Sequence, residues 1–541
     1  MHSTVYQESA KQIPKENVHD LAKLHLLLLY GLRPAKFQML QMNSHGSSSA
    51  LLRVVALVIL VAAVTFISVM PQVSNDFWLQ AKVGELIVQN HAIPTTVLFP
   101  FTTIQTAQFN AHEWLPSILF FALVRVFGED GLPLVLGVAG LLLFATMSWL
   151  AYLRSGKNLP LSLMLGLMTV AVENYRHYLR PELVSLIFLG AYWLLLDANR
   201  RSPAVGNWLG ALVIVVFWAN THGSFILAPL IGGVYATGTW IDSHRRMSEI
   251  PDSPITSYEA FALFTVVALV CTLINPFGWN LLKFVFDFSR SSVAHQYVLE
   301  WLPTFDQRMR HTRGLWIGVA CGIFASSVLL RHARKVSAVD GLMFLLFLVL
   351  AVGAIRFLVY LGMVSAFALA ALAPQGWRTP EAQRRLYVIS IATGSAILGS
   401  AMVFGNALHA YPHKADFDSS FSAPLVKELA DPSLKGNVLT DYDLGAELVY
   451  RAYPRLRPSI DSRIDSYGDA YFQFHEDLFK DDILLNRFVN EYNVRYMLVY
   501  HYQLRMLQQL PSWKDRRWVI RFMDQKVVLL QRDDSENINN E

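Results

Sequence analysis

Charge is what this 541-residue chain has least of. Asp, Glu, Lys and Arg make up 16% of it and apolar residues 53%, whereas soluble proteins keep about a quarter of their residues charged. That excludes an ordinary soluble enzyme. Cysteine is nearly absent. The two present, Cys271 and Cys321, lie inside apolar runs, which excludes a disulfide-stapled exterior and a Cys-based metal site and leaves them as packing residues. No dense Lys/Arg block occurs, and 45 basic against 41 acidic residues leave a net charge of only +4, so a nucleic-acid partner is excluded on charge. There is no Gly-rich phosphate loop and no zinc-type His/Glu spacing on a helix, so nucleotide-sugar use has no support. No internal repeat is evident.

What the chain has in abundance is apolar segments: Val54–Met70, Leu132–Leu153, Leu161–Val172, Leu183–Leu196, Trp208–Ala219, Ser224–Ile241, Ala260–Ile274, Leu315–Leu330, Leu342–Gly353, Phe357–Leu372 and Val388–Val403. Several fall short of the ~20 residues that cross a bilayer core, so they recruit semi-polar flanks or are buried among neighbouring helices. The pattern predicts an α-helical polytopic membrane protein with about 11 transmembrane helices. Val54–Met70 reads as a helix rather than a signal peptide, because no small-residue cleavage site follows it.

Lys and Arg cluster in every second loop, at Arg154/Lys157, Arg200/Arg201, Arg245/Arg246, Arg331/Arg334/Lys335 and Arg378/Arg384/Arg385. Short cytoplasmic loops are enriched in these residues, so the intervening loops Glu173–Glu182, Asn220–Gly223, Asn275–Gly314 and Ala354–Arg356 face outward. Trp114–Phe127 reads as a half-inserted juxtamembrane helix, which keeps the N-terminus inside and the C-terminus outside a cytoplasmic (inner) membrane. Residues 1–53 are then a cytoplasmic tail, with Met42 as an alternative start. Residues 54–405 are the transmembrane unit with a long first external loop, 71–130. Residues 406–541 form a small extracytoplasmic domain of α/β or α+β type, in which Val494–Tyr502 and Trp518–Leu530 read as strands and Asp469–Tyr492 as helical.

Titratable groups at a membrane's outer lip solvate headgroups, pair with each other, or act on a ligand. Asp76 follows the first span in Asn75-Asp76-Phe77-Trp78, and His112-Glu113-Trp114 opens the juxtamembrane helix. Two carboxylates flanking one loop can supply a general base and a metal or orienting ligand; equally, both can be solvated residues beside Trp anchors. Arg180 and Arg356 each present a planar fork suited to a phosphate, or snorkel to lipid headgroups. His222, in Asn220-Thr221-His222-Gly223, is a proton carrier, a ligand or a hydrogen-bonded structural residue. Asn275 and Trp279, in Asn275-Pro276-Phe277-Gly278-Trp279, complete the expected wall of a substrate cavity. In the C-terminal region Asp461, Arg463 and Asp465 repeat at a spacing of two, which on an extended segment puts them on one face. They bind an acceptor, or they form a salt-bridge network that docks the domain on the spans.

In the order of these motifs the chain resembles the glycosyltransferase C superfamily, the polytopic enzymes that take sugars from polyprenyl-phosphate carriers, and more narrowly a group of bacterial membrane proteins of this type. The residues that carry the resemblance are Asp76-Phe77-Trp78 with Gly84 and Pro94, His112-Glu113-Trp114-Leu115, Arg180-Pro181-Glu182, Thr221-His222-Gly223, Asn275 to Trp279, Arg356, Asp441-Tyr442-Asp443 and Asp461 to Gly468. They extend over roughly Val54 to Leu530. The chain departs from the group's pattern at Gln80, where a His is common, and at Val97, where an acid is common; both departures bear on metal binding. The resemblance implies an inverting transfer from a polyprenyl-phosphate-linked sugar to a glycan, lipid or protein acceptor. In it Asp76 is the general base, Glu113 and His112 accompany it, and Arg180 or Arg356 stabilises the leaving phosphate. A divalent cation is the one cofactor it raises, with no ligand set assigned. The competing readings are a non-catalytic membrane scaffold and a transporter or flippase of a lipid-linked solute. A transporter ranks lower, because the ionisable residues gather in loops rather than at mid-membrane.

Overall fold

The computed structural model describes residues 34–69, 74–245, 257–291, 295–296, 298–310, 312–409, 421–513 and 518–533. The protein is a mostly helical, multi-helix membrane protein with a small C-terminal domain built on a mixed sheet. All eleven expected apolar segments are helical. They lie on α1 (Pro34–Ser68), α4 (Leu132–Arg154), α5 (Leu159–Glu173), α6 (Pro181–Arg201), α7 (Val205–Ala219), α8 (Leu227–His244), α9 (Tyr258–Cys271), α11 (Arg313–Arg331), α12 (Ala338–Gly353), α13 (Leu358–Ala371) and α14 (Pro380–His409). Five stretches, Ala50–Ser68, Leu132–Arg154, Pro181–Arg201, Gly223–His244 and Gly314–Arg331, are long and apolar enough to cross a membrane unaided. The shorter ones pack among them, α13 being buried along nearly its whole length.

The outer faces of the helices carry the lipid signature. On α4, Leu134, Val138 and Leu142 are exposed at a spacing of four, and on α7 so are Leu209, Val213 and Phe217. Four residues is one helical face, and rows of exposed aliphatic side chains of this length suit hydrocarbon rather than water. The basic clusters gather at one end of the bundle. There Arg154 pairs with Asp197 at 3.1 Å and with Asp340, and Arg200 with Asp242 at 3.0 Å, all buried. Cys271 and Cys321 are free and partly buried.

Two boundaries differ from expectation. The described part of the expected N-terminal tail is helical from Pro34 and runs unbroken into the first span, while Leu21–Leu32 lies outside the described residues. The first long loop also holds a helix that hydropathy did not signal, α2 (Asn75–Asn90), antiparallel to α3 (Trp114–Phe127). The two helices approach until a Cβ on Gly84 would sit 2.0 Å from the Ser117 carbonyl oxygen, so glycine is the residue that this crossing accommodates. A further short helix, α10 (Trp279–Phe288), follows α9.

In the C-terminal domain the strands are β1 (Gly436–Thr440), β2 (Leu456–Pro458), β3 (Val494–Tyr500), β4 (Trp518–Met523) and β5 (Val527–Arg532). Their order is β2-β1-β3-β5-β4, parallel on the β2-β1-β3 side and antiparallel through β3-β5-β4. The expected single strand over Trp518–Leu530 is therefore a hairpin. It breaks at Asp524, whose carboxylate accepts from the backbone of Lys526 and Val527. The expected helix over Asp469–Tyr492 is two helices, Asp469–Asp477 and Asp482–Glu491. The domain shares its core with the first loop. Leu79, Val83 and Phe99 cluster with Ala446 and Val449, and Phe101 joins the core around β3.

Candidate active site

Each nominated charge is held at the end of an element opposite the basic clusters. Ser74 caps α2, its Oγ accepting from the Asp76 amide at 3.2 Å, and Asp76 lies in the first turn, where the helix dipole favours a carboxylate. Arg180 is extended because Pro181 follows it and opens α6. Arg356 lies on a 3-10 turn, Ile355–Phe357, between α12 and α13. The Ile355 amide donates to the Leu302 carbonyl at 2.9 Å, which brings a second 3-10 turn, Leu299–Trp301, alongside.

That second turn supplies Glu300, which the sequence reading did not single out. Glu300 accepts from Arg180 at 2.7 Å, from Arg176 at 2.9 Å and from Arg356 at 3.2 Å. Burial alone would raise its pKa; the three guanidiniums override this and hold it well below the usual carboxylate range. Arg176 also pairs with Glu182, which lies 3.8 Å from Arg356. Beyond Arg356 comes His222 at 3.4 Å, then Glu113 at 4.0 Å from His222 and 3.8 Å from His112. At the other end Arg180 reaches Asp76 at 3.4 Å and Ser74 Oγ at 2.9 Å. Asp76, Arg180, Arg356, His222, Glu113 and His112 thus fall on one continuous polar chain, with Glu300 as its centre.

The tautomer of His222 follows from its neighbours. Trp218 donates to Ser224 Oγ at 3.0 Å, and the Ser224 hydroxyl and amide both face His222 Nδ1, at 2.8 and 3.2 Å. Nδ1 is an acceptor, and Nε2 points between Arg356 Nη2 at 3.4 Å and Glu113 at 4.0 Å. Burial lowers the His222 pKa to about 3 and keeps the ring neutral.

A cavity of about 200 Å³ is lined by Arg176, Arg180 and Glu300 together with Asn75, Asp76 and Asp443. The C-terminal domain reaches it through Tyr442, Asp443 and Tyr500. Burial first, and the Asp76 charge second, push Asp443 up to about 6.

Other nominated residues lie elsewhere. The Asn275 amide closes its own turn, donating to Thr272 and accepting from Phe277 at 2.8 Å each, and the Trp279 side chain is 69% exposed. Neither is among the residues that line the cavity described above; Gly278, between them, is at φ 51°. Asp461 and Arg463 form a buried pair, and Arg463 donates to the Val97 carbonyl at 2.6 Å and lies over Phe99 and Phe109. They dock the domain on the first loop instead of facing the cavity. The Asp465 side chain lies outside the described residues.

Asp76 and Glu113 do not fit a shared cation. Asp76 pairs with Arg180, whereas Glu113 accepts from Gln80 at 2.5 Å, Gln80 in turn accepting from Ser117. Among the described residues no three His, Cys, Asp or Glu side chains cluster as a metal site.

No family model matches the chain. An alignment of 153 residues, 24% of this chain and 78% of the other, is 29% identical to the inner membrane-spanning protein YciB of Acidithiobacillus ferrooxidans. In fold the chain is similar to ArnT from Cupriavidus metallidurans bound to undecaprenyl phosphate, with a TM-score of 0.53 and 14% identity, covering 90% of this chain and 98% of that one. It is also similar to the oligosaccharyltransferase AglB from Archaeoglobus fulgidus in complex with an inhibitory peptide and a dolichol-phosphate, with a TM-score of 0.53 and 12% identity, covering 89% and 74%.

Proposed function

We propose that this chain, whose fold is that of the glycosyltransferase C membrane enzymes, transfers a sugar from a polyprenyl-phosphate donor to an acceptor on the outer face of the inner membrane. On this reading all eleven apolar helices cross, the basic clusters face the cytoplasm, and the C-terminal domain lies outside. The observation that carries the reading is the cavity in which Asp76 faces Arg180 between the helix ends and the C-terminal domain.

The charges give the roles. A leaving polyprenyl phosphate gains negative charge as the bond from the anomeric carbon to the phosphate oxygen breaks, and a preorganised guanidinium stabilises that charge. Arg180 suits this better than Arg356, since its side chain is 29% exposed against 11% and it lines the cavity. Arg356, held against Glu300 and over the Trp301 ring, keeps Glu300 oriented. A phosphate arriving at Arg180 competes with Asp76 for the same fork of donors and frees Asp76 to take the acceptor proton. Attack from the side opposite the leaving phosphate inverts the anomeric configuration. Glu113, held by Gln80 and facing His222, fixes the far end of the network rather than touching the acceptor.

The test uses the full-length protein in lipid nanodiscs. Arg180→Ala should weaken undecaprenyl phosphate binding at least ten-fold while Arg356→Lys weakens it less. Asp76→Asn should abolish label transfer from a panel of undecaprenyl-phosphate-linked sugars and leave that binding intact. Full transfer by Asp76→Asn removes Asp76 from the chemistry.

A further inference from the structure

The cavity is lined by cations, Arg176 and Arg180, and by a set of acceptor groups, Asn75, Asp76 and Asp443, and the second set contains a group that the reading above leaves unused. Asp443 stands in the first turn of the helix Tyr442–Ala452, capped by Asp441, whose carboxylate accepts from the Asp443 amide at 2.9 Å. The helix carries Asp443 from the C-terminal domain into the cavity that Asp76 lines from the membrane unit. Asn75 lies between them. Its amide hydrogen serves Asp443, while its Oδ1, on a side chain only 6% exposed, has no hydrogen-bond partner. An orphaned buried carbonyl costs free energy, and the residue that carries it lines the cavity together with two carboxyls, its Oδ1 lying just beneath that surface. Such a set accepts hydrogens and offers few. It suits a neutral, hydroxyl-bearing ligand: an anion is repelled by the acids, and a cation by Arg176 and Arg180.

We propose that Asp443 is a second catalytic carboxyl: with Asp76 it receives the acceptor as a hydroxyl group and takes up that hydroxyl's proton as its oxygen bonds to the anomeric carbon. The inference rests on the transfer reading above. The acceptor oxygen supplies the electron pair of the new C–O bond, the bond from carbon to phosphate oxygen breaks with its pair going to the polyprenyl phosphate, and the proton passes to the carboxyl pair. The proton that Asp76 draws from the hydroxyl is shared with Asp443 and comes to rest there. The groups facing Asp443 agree with that assignment. Asp76 and Arg180 face it from the membrane unit, and Asp441, Tyr442, Tyr500 and Tyr502 from its own domain. Their balance, together with burial, leaves it protonating at about 6, where a general base works well near neutrality. The C-terminal domain is then part of the reaction centre, and undocking it removes half of the proton acceptor.

Two measurements on the full-length protein in nanodiscs decide this. In pH-difference infrared spectra the wild type should show a carboxylic acid titrating near pH 6; Asp443→Asn should lose the signal, and Asp76→Asn should lower its midpoint by roughly one unit. A midpoint unmoved by Asp76→Asn, or no signal lost in Asp443→Asn, overturns the pair, whether or not transfer is detected. In the transfer assay with undecaprenyl-phosphate-linked sugars, Asp443→Asn should slow transfer at least ten-fold and erase the acid limb near pH 6, with Asp443→Glu restoring part of both. A slower enzyme with its acid limb unmoved means a structural role and overturns the proposal. Asp76→Asn inactive with Asp443→Asn unimpaired sinks only the second carboxyl, while Asp76→Asn fully active sinks the transfer reading itself.

Discussion

Replacing Arg463 by Ala should undock the C-terminal domain from the first loop. Asp461 is 0% exposed and its carboxylate takes two contacts from the Arg463 guanidinium. Removing one partner of a buried ion pair strands the other charge and costs about 3–5 kcal/mol. The same guanidinium holds the Val97 carbonyl and lies 4.9 Å from the Phe99 ring and 4.7 Å from the Phe109 ring. The loss is therefore felt in residues 95–109 as well as in the sheet domain. In a domain of this size ~3 kcal/mol lowers the unfolding temperature by more than about 10 °C. Hydrogen exchange on the full-length protein in nanodiscs should show Val97 to Phe109 deprotected. Arg463→Lys should recover little, since an ammonium has neither the fork nor the planar face. The double variant Asp461→Asn with Arg463→Met should recover most of the stability, because two uncharged groups leave no stranded ion. An Arg463→Ala protein with an unchanged melt and full protection of residues 95–109 would refute this account of docking.

Glu300→Gln leaves Arg176 and Arg356 to share Glu182, and Arg180 with Asp76 alone, and full-length protein in nanodiscs should lose about 3–5 kcal/mol of stability; an unchanged melting temperature would deny Glu300 its central place. Gly84→Ala forces a Cβ to within 2.0 Å of the Ser117 carbonyl oxygen and should cost at least ~1–3 kcal/mol by prising α2 from α3, whereas Gly206→Ala, with open space around it, should be silent in the same melt. Stability of the C-terminal domain should rise as pH falls from about 7 towards about 4: burial, then the Asp443 charge, push Asp441 up to about 7, so the folded form binds protons that the unfolded form releases. Asp441→Asn, which keeps the helix cap, should flatten part of that slope in unfolding followed by hydrogen exchange, Asp443 and Glu447, pushed up to about 6 and about 7, supplying the rest; an unaltered slope would reject the assignment.

Most of the helical frame was legible because bilayer solvent imposes a strong rule: a long apolar run with satisfied backbone is a helix. The alternation of Arg clusters separated the two ends, and the nominated Asp76, Arg180, His222, Arg356 and Glu113 came from one of them. What stayed hidden was tertiary. Glu300 lies in a long loop with no periodicity, and only the pairing of two 3-10 turns brings it to Arg356; the one available signal was an acid between Leu299 and Trp301, like Asp76 beside Phe77 and Trp78. Arg176 was masked by its neighbour Arg180. The strands Gly436–Thr440 and Leu456–Pro458 are too short, and the second too Pro-marked, to alternate recognisably. The break at Asp524, by contrast, was readable as a turn. Motif order carries no direction, so the sequence could not say whether Asn275 and Trp279 would stand beside the cavity at Arg180, and neither lines it.

Buried ion pairs occur at both ends of the bundle, so burial and pairing alone do not mark a site. At the basic end Arg154, Asp197, Arg200 and Asp242 stand on regular helices, and their pairs join helix to helix. At the other end the guanidiniums and Glu300 come from a loop and 3-10 turns, three cations crowd one carboxylate, and a cavity meets the most exposed of them. Loop backbones can be shaped to a ligand in a way that a packed helix cannot, and a rigid scaffold makes that shape reproducible. The three guanidiniums already face three carboxylates, Glu300, Glu182 and Asp76, so an anion arriving at Arg180 enters by exchange with the Asp76 carboxylate. On the proposed reading, that exchange releases Asp76 as the donor binds. Asp76→Asn separates the two effects: it should leave phosphate bound at Arg180 as tightly as before or more so, since the competing carboxylate is gone, while transfer is lost.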